Sequence, residues 1–299
     1  MQLITTYLLT AIAAIFWGAN FNLAKPVVAE MHPYVAGASR YLIAAAVMYL
    51  ITLYRDESVS LRYIKTYILL GLVGVFGFNL FFFLGMQSTS AINGALILAL
   101  NPLLTSIIAY FTLHEKLDCM QILAFIVGLI GVAIVVLGAG ARLQLAIGDI
   151  FIFGAALSWA FYNVLVGQLM PKDVSGVAST AGIMMVGAIA LTVLSLISGQ
   201  QFVIPSIRAG SALLIMALAG GVLAYLFWNA GVAKLGATQA AIFLNLVPIT
   251  SMVIAAFEGV PPNHAQLIGG VLVIGAVLSS AIFANPNFNT SAIRTYFTK

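Results

Sequence analysis

Two long apolar runs, 71–86 and 90–113, are separated only by Gln87-Ser88-Thr89-Ser90, and Pro102 sits in the middle of the second run. The pattern returns at 217–258. Gly74 answers Gly220, Leu80-Phe81 answers Leu226-Phe227, Gly85 answers Gly231, Ala91 answers Ala237 and Pro102 answers Pro248. A membrane-crossing helix takes roughly 20 apolar residues. On that measure the chain predicts spans at about 3–24, 34–54, 66–86, 90–113, 119–138, 147–169, 176–197, 210–230, 236–257 and 265–284. The joints between them are short and polar. A second start is visible near 147, where Ala155-Ala156-Leu157-Ser158-Trp159 matches Ala13-Ala14-Ile15-Phe16-Trp17. Self-similarity at a fixed offset marks an internal repeat. The expected fold is therefore an all-α integral membrane protein of ten transmembrane helices, built as two five-helix repeats, 1–141 and 142–284, with a polar C-terminal tail at 285–299. Five is odd, so the second repeat enters the membrane from the opposite side. Inverted repeats serve alternating access, with substrate held near the midplane between them.

Composition supports this. The 299 residues are 63% hydrophobic and 7% charged, where a soluble domain carries about 25% charged residues. So few charges cannot clothe a water-facing surface, and the lipid bilayer is the expected solvent. The net charge of +4 is spread thinly, with no basic run to follow a phosphate backbone, which excludes a nucleic-acid partner. Cys119 is the only cysteine, so no intrachain disulfide forms. The N-terminal run lacks the basic start of a cleaved leader and is long enough to span. Lys and Arg set the orientation. With the N-terminus inside, the inner side holds Arg55, Arg62, Lys65, Lys116, Lys172, Lys234, Arg294 and Lys299, and the outer side holds Lys25, Arg40, Arg142 and Arg208. Both termini are then cytoplasmic. Arg40 falls either at the outer edge or within the second span.

Amides and aromatics recur at matching depths. Trp17, Asn20 and Asn22 lie in the first span, and Trp159, Tyr162 and Asn163 in the sixth. Their i,i+3 and i,i+4 spacings put them on common helix faces. Phe78, Asn79, Phe82 and Phe83 in the third span, and Tyr225, Trp228 and Asn229 in the eighth, form a second such set. A buried amide must be paired, so these faces turn inward, either as interhelical glue or as cavity lining. Pro102 and Pro248 each remove one helix hydrogen bond, at the carbonyls of Leu98 and Leu244. Asn101 and Asn245 stand close by. Matched prolines are expected as a hinge or gate. Gly128, Gly131, Gly182, Gly187, Gly269, Gly270 and Gly275 are expected to let backbones pack closely, and helices 5 and 10 offer a candidate dimer face; monomer and homodimer both stay open.

No phosphate loop, metalloprotease, nucleophile-elbow or cysteine-cluster motif occurs, so no enzyme activity, cofactor or metal is expected. His32, His114 and His264 fall at span edges, and Asp149, Glu115 and Glu258 near helix ends. Proton-driven carriers place such groups within the membrane. Little proton coupling is therefore expected, and no fixed buried charge to recognise substrate. A neutral, zwitterionic or aromatic small molecule fits better.

Ten spans in two inverted halves resemble the drug/metabolite transporter superfamily, in its EamA-type branch. Trp17-Gly18-Ala19-Asn20, Ala99-Leu100-Asn101-Pro102 and His114-Glu115-Lys116 carry the likeness, and the last is similar to the family's acidic motif after the proline helix. The second half keeps Pro248 and Glu258, but Pro261-Pro262 breaks the motif there. Within the branch the chain looks most like YddG-type bacterial exporters of aromatic and other neutral amino acids. That resemblance implies an inner-membrane exporter whose helices 1, 3, 4, 6, 8 and 9 surround a central cavity, with helices 2, 5, 7 and 10 as scaffold. The implied substrate-binding residues are Trp17, Asn20, Phe78, Asn79, Asn101, Trp159, Tyr162, Asn163, Tyr225, Trp228 and Asn245.

Overall fold

The computed structural model describes residues 3–89, 91–114, 119–138, 146–257, 259 and 261–283; these form helices joined by turns and short loops, with no strand among the described residues. The helices are α1 Leu3–Glu30, α2 Pro33–Tyr54, α3 Leu61–Met86, α4 Ala91–Leu98, α5 Asn101–Leu113, α6 Cys119–Gly138, α7 Ile147–Leu169, α8 Gly176–Ile197, α9 Ile207–Leu235, α10 (237–257) and α11 His264–Phe283. Among the described residues, 7 helices are long and apolar enough to cross a membrane, accompanied by shorter apolar helices at Asn101–Leu113, Ile122–Val135 and His264–Ser279. The boundary between the expected halves, the Glu115-Lys116 motif, Glu258 and the tail lie outside the described residues.

The side chains are distributed as lipid solvent demands. Leu50, Ile150, Ile204 and Val271 point outward, while Thr10, Asn79, Asn101, Thr105, Asn163 and Ser179 are buried. In water the first group would be hidden; here an unpaired polar group facing lipid is the costlier arrangement.

Helix ends follow local chemistry. Pro33 opens α2, with the His32 ring nitrogen accepting the Tyr34 N–H. The Ser175 hydroxyl accepts the Ala178 N–H at the start of α8, and Ser206 does the same for Ala209 at the start of α9. Such caps satisfy donors that lack intrahelical partners. Glu30 accepts both the N–H and the hydroxyl of Ser206, at 2.7 and 2.6 Å, tying the end of α1 to the start of α9. Asp149 accepts the Ala146 N–H at 2.9 Å and the Thr89 hydroxyl, pinning the joint after α3 to the start of α7.

Two features depart from the sequence expectation, and a third, the close packing of the small residues, meets it. The run 90–113 is not one helix: α4 ends at Leu98, residues 99–100 form a turn, and α5 starts afresh at Asn101. Pro102 therefore stands in the first turn of a helix, where its missing N–H has no intrahelical partner to lose. Pro248 is likewise in the first turn of Leu246–Phe257, which follows a 3₁₀ turn at Phe243–Asn245. Second, α3 and α9 each contain a π-helical stretch, Gly71–Gly77 and Leu218–Leu223. There the Phe78 N–H reaches the carbonyl of Val73, and that of Ala224 the carbonyl of Ala219, five residues back. Third, glycines offered as a dimer face are used within the chain. A Cβ on Gly131 would lie 2.8 Å from the Gly269 carbonyl oxygen, and one on Gly269 would lie 2.5 Å from that of Gly131. α6 and α11 thus touch backbone to backbone.

Candidate functional site

Residues from several helices close around a small central cavity. Trp17, Asn20 and Phe21 come from α1, Arg40 and Tyr41 from α2, and Phe78 and Phe82 from α3. Trp159 comes from α7, Tyr225 from α9, and Leu98, Leu244 and Val247 from α4 and α10. Trp17 packs inside an aromatic cluster. Its ring centre lies 4.8 Å from Trp159, 5.0 Å from Trp228 and 5.9 Å from Tyr225. Phe78 packs against Trp159 at 5.3 Å and stacks on Phe82 at 5.8 Å. Edge-to-face pairs of this kind add about 0.5–1.5 kcal/mol each beyond burial. The space left at the centre is about 30 Å³, room for little more than one or two water-sized bodies. The form described is tightly closed.

The two π-helical stretches present backbone oxygens to this cluster. The Tyr225 hydroxyl donates to the Gly74 carbonyl at 2.9 Å and accepts from the Tyr41 hydroxyl at 3.1 Å. The Trp17 indole N–H donates to the Gly220 carbonyl at 2.8 Å. Both contacts need glycine. A Cβ on Gly74 would fall 2.1 Å from the Tyr162 ring, and one on Gly220 would fall 2.6 Å from the Asn20 amide nitrogen.

A second layer holds the first in place. The Trp228 indole N–H donates to Asn163 Oδ1 at 2.9 Å, and Asn163 Nδ2 donates to Asn101 Oδ1 at 3.1 Å. Asn101 Nδ2 in turn donates to the Ala156 carbonyl at 2.7 Å. Tyr162 donates to Asn229 Oδ1 at 2.9 Å, and Asn229 Nδ2 to the Thr180 hydroxyl at 3.1 Å. These chains link α5, α7, α8 and α9 and leave their amides satisfied, as buried polar networks must be.

Of the sequence-predicted substrate residues, Trp17, Asn20, Phe78, Trp159 and Tyr225 border the cavity. Asn79, Asn101, Tyr162, Asn163 and Trp228 are buried one layer behind, engaged as described or, for Asn79, holding Arg40. Asn245 faces elsewhere: its amide nitrogen lies against Gly128 of α6. Asn22 borders a separate groove with Arg208 and Ser211. Sequence alone does not place Arg40 and Tyr41 here, because the family resemblance implies helix 2 as scaffold and the charge count puts Arg40 on the outer side. The sequence also predicts no fixed buried charge. The structure corrects this: Arg40 is 1% exposed and borders the cavity.

The model of the EamA-like transporter family matches residues 4–137 and again 146–282. The chain belongs to that family. A relative described as uncharacterized transporter YyaM of Bacillus subtilis is 37% identical over 300 residues, covering 97% of this chain and 98% of its own. Uncharacterized transporter YrdR of the same organism is 25% identical, covering 94% and 92%. A solved structure described only as "Crystal structure of protein" superposes with a TM-score of 0.77 at 20% identity, covering 94% of this chain and 97% of its own, and shows the fold. This EamA-family chain is accordingly a multi-pass membrane transporter of the drug/metabolite transporter superfamily.

Proposed function

We propose that this transporter exports amino acids, aromatic ones included, across a bacterial inner membrane by alternating access. The observation that carries the reading is the aromatic enclosure of Trp17, Phe78, Trp159 and Tyr225, contributed by α1, α3, α7 and α9 around one cavity. Rings offer apolar area and faces to an aromatic or aliphatic side chain, and a closed shell of this kind must open to admit it. Ten spans in two inverted halves, with both termini cytoplasmic, complete the proposal; the family model's two successive matches support the duplication. The break at 99–100 and the 3₁₀ turn at Phe243–Asn245, each beside a proline, supply matched points for bending. Transport is facilitative with little proton coupling: the carboxylates of Glu30, Asp149 and Asp173 sit at helix ends or in a joint. The test is uptake of radiolabelled tryptophan and threonine into proteoliposomes, with and without a pH gradient. Uptake that is competed by other amino acids and indifferent to the gradient is expected. Failure of every amino acid to enter tight, correctly loaded vesicles would sink the reading, and strong drive by the gradient would sink its facilitative part.

A further inference from the structure

Arg40 is a buried cation with only neutral partners. It lies in α2, about 10 Å along the axis from Pro33 at 1.5 Å per residue. Its Nε donates to the Met216 carbonyl at 3.2 Å and its Nη1 to Asn79 Oδ1 at 3.0 Å. The guanidinium carbon sits 5.2 Å from the centre of the Tyr41 ring. Among the described residues the ion pairs are Arg55–Glu57 and Arg62–Asp173; no carboxylate reaches Arg40. A guanidinium does not shed its proton in a protein, so the charge is permanent. An ionised group within the membrane and without a counter-ion is expensive and points to function. Nor does the fold require it. α8, the expected counterpart of α2 in the second half, contains no Lys or Arg, yet packs as a buried helix.

Arg40 has donors left over. Of five guanidinium N–H groups, two are engaged, which leaves three on the two Nη atoms. A Cβ on Gly220 would lie 3.0 Å from Nη2 and 2.7 Å from Asn20 Oδ1, so both side chains border Gly220. Asn20 is 5% exposed, its Oδ1 has no hydrogen-bond partner, and it borders the same cavity. Asn79 from α3 and Met216 from α9 fix the guanidinium from two sides, as a binding group must be fixed to act without reorganisation.

We propose that Arg40 is the carboxylate anchor of the transport site. Its free Nη–H groups take a carboxylate end-on. The apolar body of the substrate lies among Trp17, Phe78, Trp159 and Tyr225. When the substrate is an α-amino acid, Asn20 Oδ1 accepts from its ammonium group. This deepens the amino-acid reading above and rests on it for the location of the site, but a plain arylalkanoic acid has the same anionic end.

The test compares isosteric acids and carboxamides by thermal stabilisation of the purified protein. The pairs are indole-3-propionate with indole-3-propionamide, and phenylalanine with phenylalaninamide. The wild type is expected to bind each acid at least tenfold more tightly than its amide. Arg40→Gln should bring that ratio close to one, and Arg40→Lys should keep part of it. Should Arg40→Gln elute as aggregate, the wild-type ratio and Arg40→Lys decide. Equal binding of acid and amide by the wild type, binding of neither acid, or a preference that survives Arg40→Gln overturns the assignment. The outcomes separate from those of the transport reading. Indole-3-propionate bound with no amino acid transported leaves Arg40 as anchor and removes the amino-acid reading. Amino acids transported with acid and amide bound alike does the reverse.

Discussion

Trp17 and Trp159 meet edge to face with ring centres 4.8 Å apart and planes at 77°. They are the residues that answer each other in the two AAxxW stretches, so the cavity is closed at its centre by equivalent positions of the expected halves. Truncating either ring should open the closed form. Trp17→Ala is expected to reduce amino-acid uptake strongly, because it also frees the Gly220 carbonyl. Trp159→Ala should reduce it less, since the Trp159 indole N–H has no partner to lose. Initial uptake rates in proteoliposomes, normalised to reconstituted protein, check the order.

Gly74 and Gly220 should tolerate no side chain. Gly74→Ala drives a methyl into the Tyr162 ring and Gly220→Ala into the Asn20 amide. Overpacking of this sort costs about 1–3 kcal/mol. Gly275 is a control, with nothing within 4 Å of its would-be Cβ; Gly275→Ala should be neutral or stabilising by roughly 0.5–1 kcal/mol, the helix-interior advantage of alanine. Thermal unfolding followed by size-exclusion chromatography distinguishes the three.

Asn163 is the junction of its network. Asn163→Leu leaves the Trp228 indole N–H without its acceptor and takes one of the donors to Asn101 Oδ1. The stability loss expected is about 1–3 kcal/mol for the orphaned buried group. Trp228→Phe removes the donor instead. A double-mutant cycle on the pair should show a coupling of roughly 0.5 kcal/mol or more, and additive losses would break the proposed link.

The joints on one side carry a pH-dependent clasp. The Ser175 hydroxyl donates to Glu57 and the Tyr63 hydroxyl donates to Asp173. These bonds hold both carboxyls below their ordinary range. A group whose pKa is lowered by folding stabilises the fold above its unfolded pKa, and that contribution fades as the pH falls through the folded value. Hydrogen-exchange protection at 55–60 and 170–175, corrected for the intrinsic exchange rate, should therefore be flat from neutral pH down and fall below about pH 4, the ordinary carboxylate range. Glu57→Gln with Asp173→Asn should abolish the step.

Pro102→Ala and Pro248→Ala test the bending points. Each proline opens a helix after a break, so alanine should cost little stability while allowing the helix to run through. Slower exchange of substrate at unchanged thermal stability is expected. Normal transport by both variants would dismiss the hinge.

The bilayer class is legible from composition alone, and the aromatic cavity from the spacing of Trp17 with Asn20 and of Trp159 with Tyr162 and Asn163. Spacing cannot say which side of an inward face meets a cavity and which meets a neighbouring helix. Asn20 borders the cavity while Tyr162 and Asn163 tie α7 to α9 and α5, yet all looked alike. Asn245 was misplaced for a simpler reason. In the register that pairs Pro102 with Pro248, Asn101 answers Val247, not Asn245. Asn245 closes the 3₁₀ turn two residues before Val247 and faces Gly128 instead. Arg40 was hidden by its proximity to a span end, where an arginine ordinarily reaches water. The π-helical stretches left no mark in hydropathy, because glycine-rich apolar sequence suits an α turn equally well.

Those stretches give the molecule a form of slack. Each holds one residue more than an α-helix of the same rise would need. If that surplus passes along the chain by one position, the residue it passes turns by about 100° about the helix axis, with no loop opened. Gly74 and Gly220 sit within the surplus, and their carbonyls hold Tyr225 and Trp17. α3 and α9 thus carry a slip joint at mid-length, and moving the surplus in either would unlatch one wall of the cavity while its ends stay anchored.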